Sequence, residues 1–266
     1  NGRYSKCIEF EDINYQLAKN DDKTTIFENY CEFLNYFDSS VRFQITFLNQ
    51  QVNFDEYSKT IDIPPKGDAF DDIRKEYADM LKMQLAKGNN GLVKTKYITF
   101  GIKAESLRAA KSRLERIETG ILNNFKVLGA AARPLNGLER LKILHDTMNM
   151  DTKEPFKFHY GMVAKTGLGT KDFIAPTGFD FRNDSYFRMG QTFGCVSYLQ
   201  ITSPELTDKM LADFLDMEEN LIVNIHVQPV DPKVAIKSLK NILSNIQKMK
   251  IEEQKKAVRS GYDMDI

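Results

Sequence analysis

The string that comes closest to a catalytic motif is Gly167-Leu168-Gly169-Thr170-Lys171-Asp172. A phosphate-binding loop of the Walker A type needs Gly, four residues and then Gly-Lys-Ser/Thr, because its backbone amides cradle the phosphates and its lysine reaches them. Here the leading glycine is not at the required distance, and Asp172 stands where a magnesium-binding hydroxyl is needed. We interpret the string as a surface loop. Because the sequence has no Gly-rich loop followed by Lys-Ser/Thr, we predict that the chain neither binds nor hydrolyses ATP.

The other reactive residue types do not have the spacing of a catalytic or metal site. His145, His159 and His226 fall on a helix, a loop and a strand, with no HxxxH or HxH, and the cysteines have no matching spacing. Two groups of carboxylates lie opposite apolar helix stripes and are interpreted as solvated, salt-bridged faces; they are Glu115 with Glu118, and Asp213, Asp216, Glu218 and Glu219. We therefore assign no catalytic residue, no cofactor-binding residue and no metal ligand.

The composition is that of an ordinary globular chain. Its 266 residues predict one large domain or two intimate subdomains, and 42% hydrophobic with 28% charged residues is enough for a proper core. Lys plus Arg and Asp plus Glu are both 37, so no net charge attracts a polyanion. Cys7, Cys31 and Cys195 are odd in number and far apart, which indicates buried or free thiols in a reducing cytoplasm. No apolar run approaches the roughly 18 residues that span a bilayer.

The first 150 residues alternate between strand and helix patterns. Strands are predicted near 4–10, 41–47 and 98–102, where apolar residues recur at every second position. A helix with an apolar stripe is predicted after each of these strands, and a further helix after the short Gly/Ala strand is capped by Asn136. The stripe residues are Ile26, Phe27, Tyr30, Phe33, Leu34 and Phe37; then Phe70, Ile73, Tyr77, Met80, Leu81 and Leu85, ended by Gly88; then Leu107, Ala110, Leu114, Ile117, Ile121 and Phe125.

The same plan recurs after a loop-rich stretch between about Met150 and Arg188. A strand is predicted from Phe193 to Ile201, a helix after Ser203–Pro204 with Met210, Leu211, Phe214 and Leu215, and a strand with Leu221, Val223, Ile225 and Val227. Pro229 and Pro232 introduce a final helix with an apolar stripe. The members of this stripe are Ile236, Leu239, Ile242, Leu243, Ile246 and Met249.

These two successive strand–helix–strand–helix patterns predict a ferredoxin-like α+β fold, with half-buried antiparallel or mixed sheets and a long C-terminal helix. The predicted division is a first α+β subdomain at 1–150, a loop-rich connection at 151–188, a second α+β subdomain at 189–249 and a helical connector at 250–266. One composite sheet is the alternative to two subdomains. Six residues on stripes of the proper period are predicted to be buried; they are Phe100, Leu114, Ile117, Leu199, Phe214 and Ile225.

The last residues lose the apolar stripe after Met249, so a helix there is polar all round and bridges to another body or frays. The candidate interface residues are Lys250, Glu253, Lys255, Lys256 and Arg259.

The outer faces of the predicted strands carry polar residues but no pair of exposed aromatics, which RNA-reading sheets use for stacking. These polar residues are Arg42, Gln44, Thr46, Asn224, His226 and Gln228.

Several strings of the chain resemble the amino-terminal part of the VirB-type traffic ATPases of type IV secretion, the TraC/TraE-like conjugal transfer proteins. They include IEFEDINYQLA from Ile8, LAKGNNGLVKTKYITFGI from Leu85, RPLNGLERLKILHD from Arg133, YFRMGQTFGCVSYLQI from Tyr186 and MLADFLDMEENLIVNIHVQPVD from Met210. These strings are most similar to the sequences of family members from conjugative transposons of Gram-positive bacteria. The resemblance extends from near the start of the chain to its last residue.

The resemblance implies the non-catalytic, amino-terminal domain of an oligomeric ATPase that powers conjugative DNA transfer. ATP and magnesium are then expected for the full-length parent, with no cofactor in this chain. The expected partners are sibling subunits, a small inner-membrane secretion component and other secretion ATPases, with no direct specific nucleic acid. The expected location is cytoplasmic, peripheral at the inner face of the cell membrane. Two alternatives remain open, a free-standing ferredoxin-like nucleic-acid-binding module and a small-molecule enzyme.

Overall fold

The computed structural model describes residues 2–13, 15, 18–51, 63–87, 92–150, 156–200, 217 and 219–259. Within these residues it has eight strands and seven helices. In chain order they are β1 (Arg3–Phe10), α1 (Asn20–Asn35), β2 (Arg42–Gln51), α2 (Asp71–Lys87), β3 (Leu92–Lys103), α3 (Leu107–Leu128), β4 (Ala132–Leu135), α4 (Gly137–Met148), α5 (Tyr160–Thr166), α6 (Thr170–Ile174), β5 (Phe179–Asp180), β6 (Phe187–Met189), β7 (Thr192–Gly194), β8 (Leu221–Val227) and α7 (Pro232–Arg259).

The main sheet has the order β4-β1-β3-β2-β8, and every neighbouring pair is antiparallel. Its first four strands come from two interleaved units, β1–α1–β2 and β3–α3–β4, which is the split strand–helix–strand arrangement of ferredoxin-like folds. The predicted fold class is confirmed. Strands β5, β6 and β7 form a separate three-stranded sheet.

The core lies between one face of the main sheet and helices α1 and α3. The Phe33 ring of α1 lies 5.2 Å from the Phe125 ring of α3, and Ile8, Ile98 and Phe100 of the sheet are fully buried beneath them. Helix α3 is well delimited, because the Ser106 hydroxyl accepts a hydrogen bond from the Ala109 amide at 3.2 Å. These local signals fix the helix whose stripe closes the core.

Helix α4 covers part of the opposite sheet face. It begins at Asn136 as predicted, where the Asn136 side-chain oxygen accepts from the Glu139 amide at 3.0 Å and the Glu139 carboxylate accepts from the Asn136 amide at 2.7 Å. Ile143 of α4 packs against a small second cluster of buried residues. Its members are Cys7, Leu48, Tyr97 and Leu135. The sheet is therefore covered on both faces near β1.

Strand β8 decides between one composite sheet and two. It pairs with β2, with Ile225 opposite Ile45, so this part of the predicted second subdomain belongs to the same sheet as residues 3–135. Strand β2 is ten residues long, and β8 covers the edge that would otherwise expose unpaired backbone groups. The composite arrangement is thus the one present at β8.

Three of the six predicted core residues are buried, namely Phe100, Leu114 and Ile117, and Ile225 is half-buried against the core. The prediction for Leu199 is wrong, since its side chain is 58% exposed. The predicted strand from Phe193 is also wrong beyond Gly194, because β6, its partner among the described strands, is three residues long and offers no further backbone groups to pair with. Phe214 and the helix predicted after Ser203–Pro204 lie outside the described residues.

Candidate docking surface

Helix α7 carries a continuous apolar face that packs on none of the residues the structure describes. Every described side chain from 232 to 256 is exposed, apart from the half-buried Ala235. The apolar stripe predicted for the final helix is open to solvent, with exposed fractions between 51% and 62%. Its members are Ile236, Leu239, Ile242, Leu243, Ile246 and Met249. Spacings of three and four place them on one side of the helix. We refer to these six residues as the α7 face.

The rest of α7 is strongly basic. Residues 232 to 256 contain seven lysines against two glutamates, Glu252 and Glu253, so the helix has a formal excess of five positive charges. The chain as a whole has none. A partner that covers the α7 face therefore has to combine apolar side chains with acidic ones at the rim. Two parallel copies of α7 would bring like charges together, which opposes simple self-association through this helix.

The residues predicted for an interface lie at the end of this same helix. Lys250, Glu253, Lys255 and Lys256 are exposed on α7, and the side chain of Arg259 lies outside the described part of the chain. Their role in an interface stays a prediction. The six apolar residues one to four turns earlier were predicted as a helix stripe but not as interface residues, because an amphipathic pattern is the same whether a helix packs on its own core or on a partner.

Deleting residues 252 to 266 is expected to lower the melting temperature by no more than a few degrees. Glu252, Glu253 and Lys255 are exposed, so we expect the deletion to remove only about 1 kcal/mol of stability. Thermal unfolding monitored by circular dichroism measures the shift. A collapse of the transition would show that the deleted residues pack on this domain's own core.

Helix α2 also has an apolar stripe that is mostly exposed to solvent. It forms where the sequence predicted it, but most of its apolar stripe is exposed, with Ile73 at 60% and Tyr77 at 51%. Phe70 and Met80 are exposed as well, Leu81 is half-buried, and the side chain of Leu85 and residue Gly88 lie outside the described part of the chain. A second apolar surface is therefore present on the described residues.

The glycine-rich string lies at the junction of two short helices. Helix α5 ends at Gly167, which has a positive φ of 72°, and the five-residue helix α6 comes next. The Asp172 carboxylate accepts a hydrogen bond from the Gly169 amide at 2.8 Å. A carboxylate thus already binds an amide that a phosphate would need, and its negative charge repels a phosphate. This geometry supports the interpretation of the string as a surface loop.

The histidines and cysteines are dispersed. No group of three or more His, Cys, Asp or Glu side chains within the described ranges could hold a metal ion. His145 contacts Asp146, with Nδ1 and Oδ1 3.0 Å apart, and His226 is exposed on β8. Cys7, Cys31 and Cys195 are all free thiols, and burial raises the pKa of the Cys7 thiol.

The face of the main sheet away from the core is polar where α4 does not cover it. The Gln44 amide nitrogen donates to the Asn224 side-chain oxygen at 2.6 Å, and the Thr46 hydroxyl donates to the same oxygen at 2.8 Å. Tyr97, the one Phe, Tyr or Trp side chain on this face of the described strands, is only 8% exposed, and His226 is the exposed ring there. The described part of this face therefore lacks the pair of exposed aromatics that RNA-reading sheets use for stacking.

None of the helices in the described ranges is both long and apolar enough to cross a membrane.

The comparisons with protein-family models and with curated proteins transfer no role to these surfaces. No protein-family model matches the chain. No curated protein matches it at a significant level. The resemblance to conjugal transfer ATPases therefore stays a prediction, and the α7 face is the feature on which a functional proposal has to rest.

Proposed function

We propose that this chain is the non-catalytic assembly and docking domain of a type IV secretion ATPase that drives conjugative DNA transfer. It works at the cytoplasmic side of the membrane, where it contacts sibling subunits, a small inner-membrane component and other secretion ATPases. ATP hydrolysis belongs to another domain of the parent protein. The strings that resemble the family support the choice of system, and the exposed α7 face supports the docking role.

The α7 face is the observation that carries the docking role. Six large apolar side chains along one side of the helix are each more than half exposed. Together they form an apolar surface that monomeric proteins rarely leave exposed to water. Burying them against a partner would remove this surface from water at about 25 cal/mol per Å². The lysines around the face would then pair with acidic groups of the partner.

The test places charge on the α7 face and measures conjugation. The double variant Ile242→Asp/Ile246→Asp, introduced into the complete protein of a donor cell, is expected to lower the transfer frequency about 100-fold, because two aspartates at the centre of an apolar contact cost several kcal/mol. The purified variant should keep the melting temperature of the wild type, since both side chains are exposed.

The matched control is Asn241→Asp/Ser244→Asp, which adds the same charge to the opposite side of the same helix. It is expected to leave transfer unchanged. Equal losses in the two double variants would indicate an effect of charge on the helix rather than on the α7 face. Normal transfer by Ile242→Asp/Ile246→Asp would contradict the docking role.

A further inference from the structure

We propose that a basic groove at one end of the main sheet binds a phosphate group, carried either on a soluble compound or on a phospholipid headgroup. The groove has a volume of about 550 Å³ and lies where β1, β3 and β2 present their ends beside α3 and β8. Its polar lining includes Arg3, Arg42, Lys103, Arg113, His226 and Gln228. The inference does not rest on the docking role of α7.

Strand register brings three of these cations together on one sheet face. Arg3 lies directly opposite Lys103, and Arg42 lies opposite Gly101, two residues before Lys103. Direct neighbours across strands are about 5 Å apart and diagonal neighbours about 7–8 Å, so long basic side chains from these positions reach a common point. Their strand neighbours Phe43 and Ile102 are buried on the opposite face, which fixes the direction of the three cations.

Among the described residues, these three cations lack the carboxylate partners that other basic residues of the sheet have. Lys6 pairs with Glu118 at 2.9 Å, Lys96 pairs with Asp12, and Arg133 pairs with Glu9 and with Glu139. No carboxylate among the described residues lies within ion-pair distance of Arg3, Arg42 or Lys103, and none lines the groove. Like charges directly opposite each other destabilise a sheet, and a bound anion would remove this cost.

Arg113 forms the wall on the α3 side. Its guanidinium donates to the Ser40 hydroxyl and lies 3.6 Å from the Asp38 carboxylate. Hydrogen bonds from Ser40, assisted by Arg113, hold the pKa of Asp38 below its ordinary value, so this carboxylate is charged at neutral pH and offsets the charge of Arg113. The net positive charge of the groove therefore comes from Arg3, Arg42 and Lys103.

A phosphate group matches this lining in both charge and donors. It carries up to two negative charges and several acceptor oxygens, and arginine presents a planar fork of N–H donors that binds two of them at once. His226 and Gln228 add side chains that can donate hydrogen bonds. Among the described lining residues Phe43 and Phe100 are buried and Tyr4 is half-buried, which leaves the imidazole of His226 as the exposed ring. Recognition is therefore expected to fall mainly on the phosphate, through the three cations.

The first experiment uses inorganic pyrophosphate as the probe, at constant ionic strength. Pyrophosphate is expected to raise the melting temperature of the wild type, because a ligand bound only by the folded state stabilises it. Arg42→Gln/Lys103→Gln should weaken calorimetric binding by about tenfold or more and abolish the thermal shift. Without pyrophosphate this variant should be at least as stable as the wild type, because a like-charge contact is relieved.

The matched control is Lys237→Gln/Lys240→Gln, which removes two exposed cations of α7 outside the groove. It is expected to keep the response of the wild type. A thermal shift that persists in Arg42→Gln/Lys103→Gln, or one that disappears equally in the control, would overturn the site in favour of a general ionic effect.

A second arm distinguishes the source of the phosphate. Vesicles of phosphatidylglycerol are compared with vesicles of phosphatidylcholine by co-sedimentation, and a single-stranded oligonucleotide is titrated in parallel. Pyrophosphate binding without vesicle binding assigns a soluble compound, and binding to phosphatidylglycerol that needs Arg42 and Lys103 assigns a headgroup. The proposal is overturned if neither pyrophosphate nor the phosphatidylglycerol vesicles bind. It is also overturned if only the oligonucleotide binds, which would indicate a nucleic-acid site.

Discussion

Replacing Phe100 with alanine is expected to lower the free energy of unfolding by about 3–5 kcal/mol. The Phe100 side chain is 0% exposed and lies on β3, at the centre of the main sheet, with Phe43 opposite it on β2. Removing its ring leaves a cavity beneath α1 and α3 that the tightly packed neighbours cannot fill. Chemical denaturation monitored by circular dichroism gives the change. Domains of this kind are stable by about 5–15 kcal/mol, so the loss is a large share of the total.

Phe193→Ala is the matched control for this experiment. The same atoms are removed, but Phe193 is 65% exposed on β7, so we expect a change within about 1 kcal/mol. A similar loss for the two variants would mean that Phe193 lies in a core of its own. A loss below about 1 kcal/mol for Phe100→Ala would contradict the position of β3 at the centre of the sheet.

Leu114→Ala should cost about 2–5 kcal/mol of unfolding free energy. Leu114 is 4% exposed on α3, whose buried stripe closes the core over the sheet. The substitution removes apolar contacts and changes helix propensity only slightly, because alanine and leucine are both good helix formers. Urea denaturation measures the midpoint and the slope, and an unchanged slope indicates that the native state itself was destabilised.

Leu107→Ala provides the control on the same helix. Leu107 belongs to the same sequence stripe but is 68% exposed at the first position of α3. Its truncation is expected to change stability by less than about 0.5 kcal/mol. The pair separates burial from helix propensity, since residue type, helix and substitution are identical. Equal effects at the two positions would show that burial does not explain the loss.

The local elements of this protein follow from its sequence. Strand β8 and the start of α7 at Pro232 lie where alternation and proline place them, and Asn136 caps α4 with Glu139 as its reciprocal partner. Each of these signals involves residues within one or two turns of one another, or along one extended segment. Period and capping are local properties, so a single sequence is sufficient to predict them.

Whether a strand pattern becomes a strand depends on a partner that is distant in sequence. The alternation that includes Leu199 is as regular as that of β8, but β8 pairs with the free edge of β2, whereas residues 195–200 have no backbone partner within the described part of the chain. The basic groove could not be predicted from the sequence for the same reason. Arg3 and Lys103 are one hundred residues apart and became neighbours only through the pairing of β1 with β3.

The exposure of the α7 face was likewise decided by tertiary structure alone. The sequence determined that Leu239, Ile242 and Ile246 share one side of a helix, because 3.6 residues complete a turn. It could not determine what that side packs against, since packing on the core of the same chain and packing on a partner require the same apolar stripe. The structure leaves this side open, because the core face of the sheet is already covered by α1 and α3.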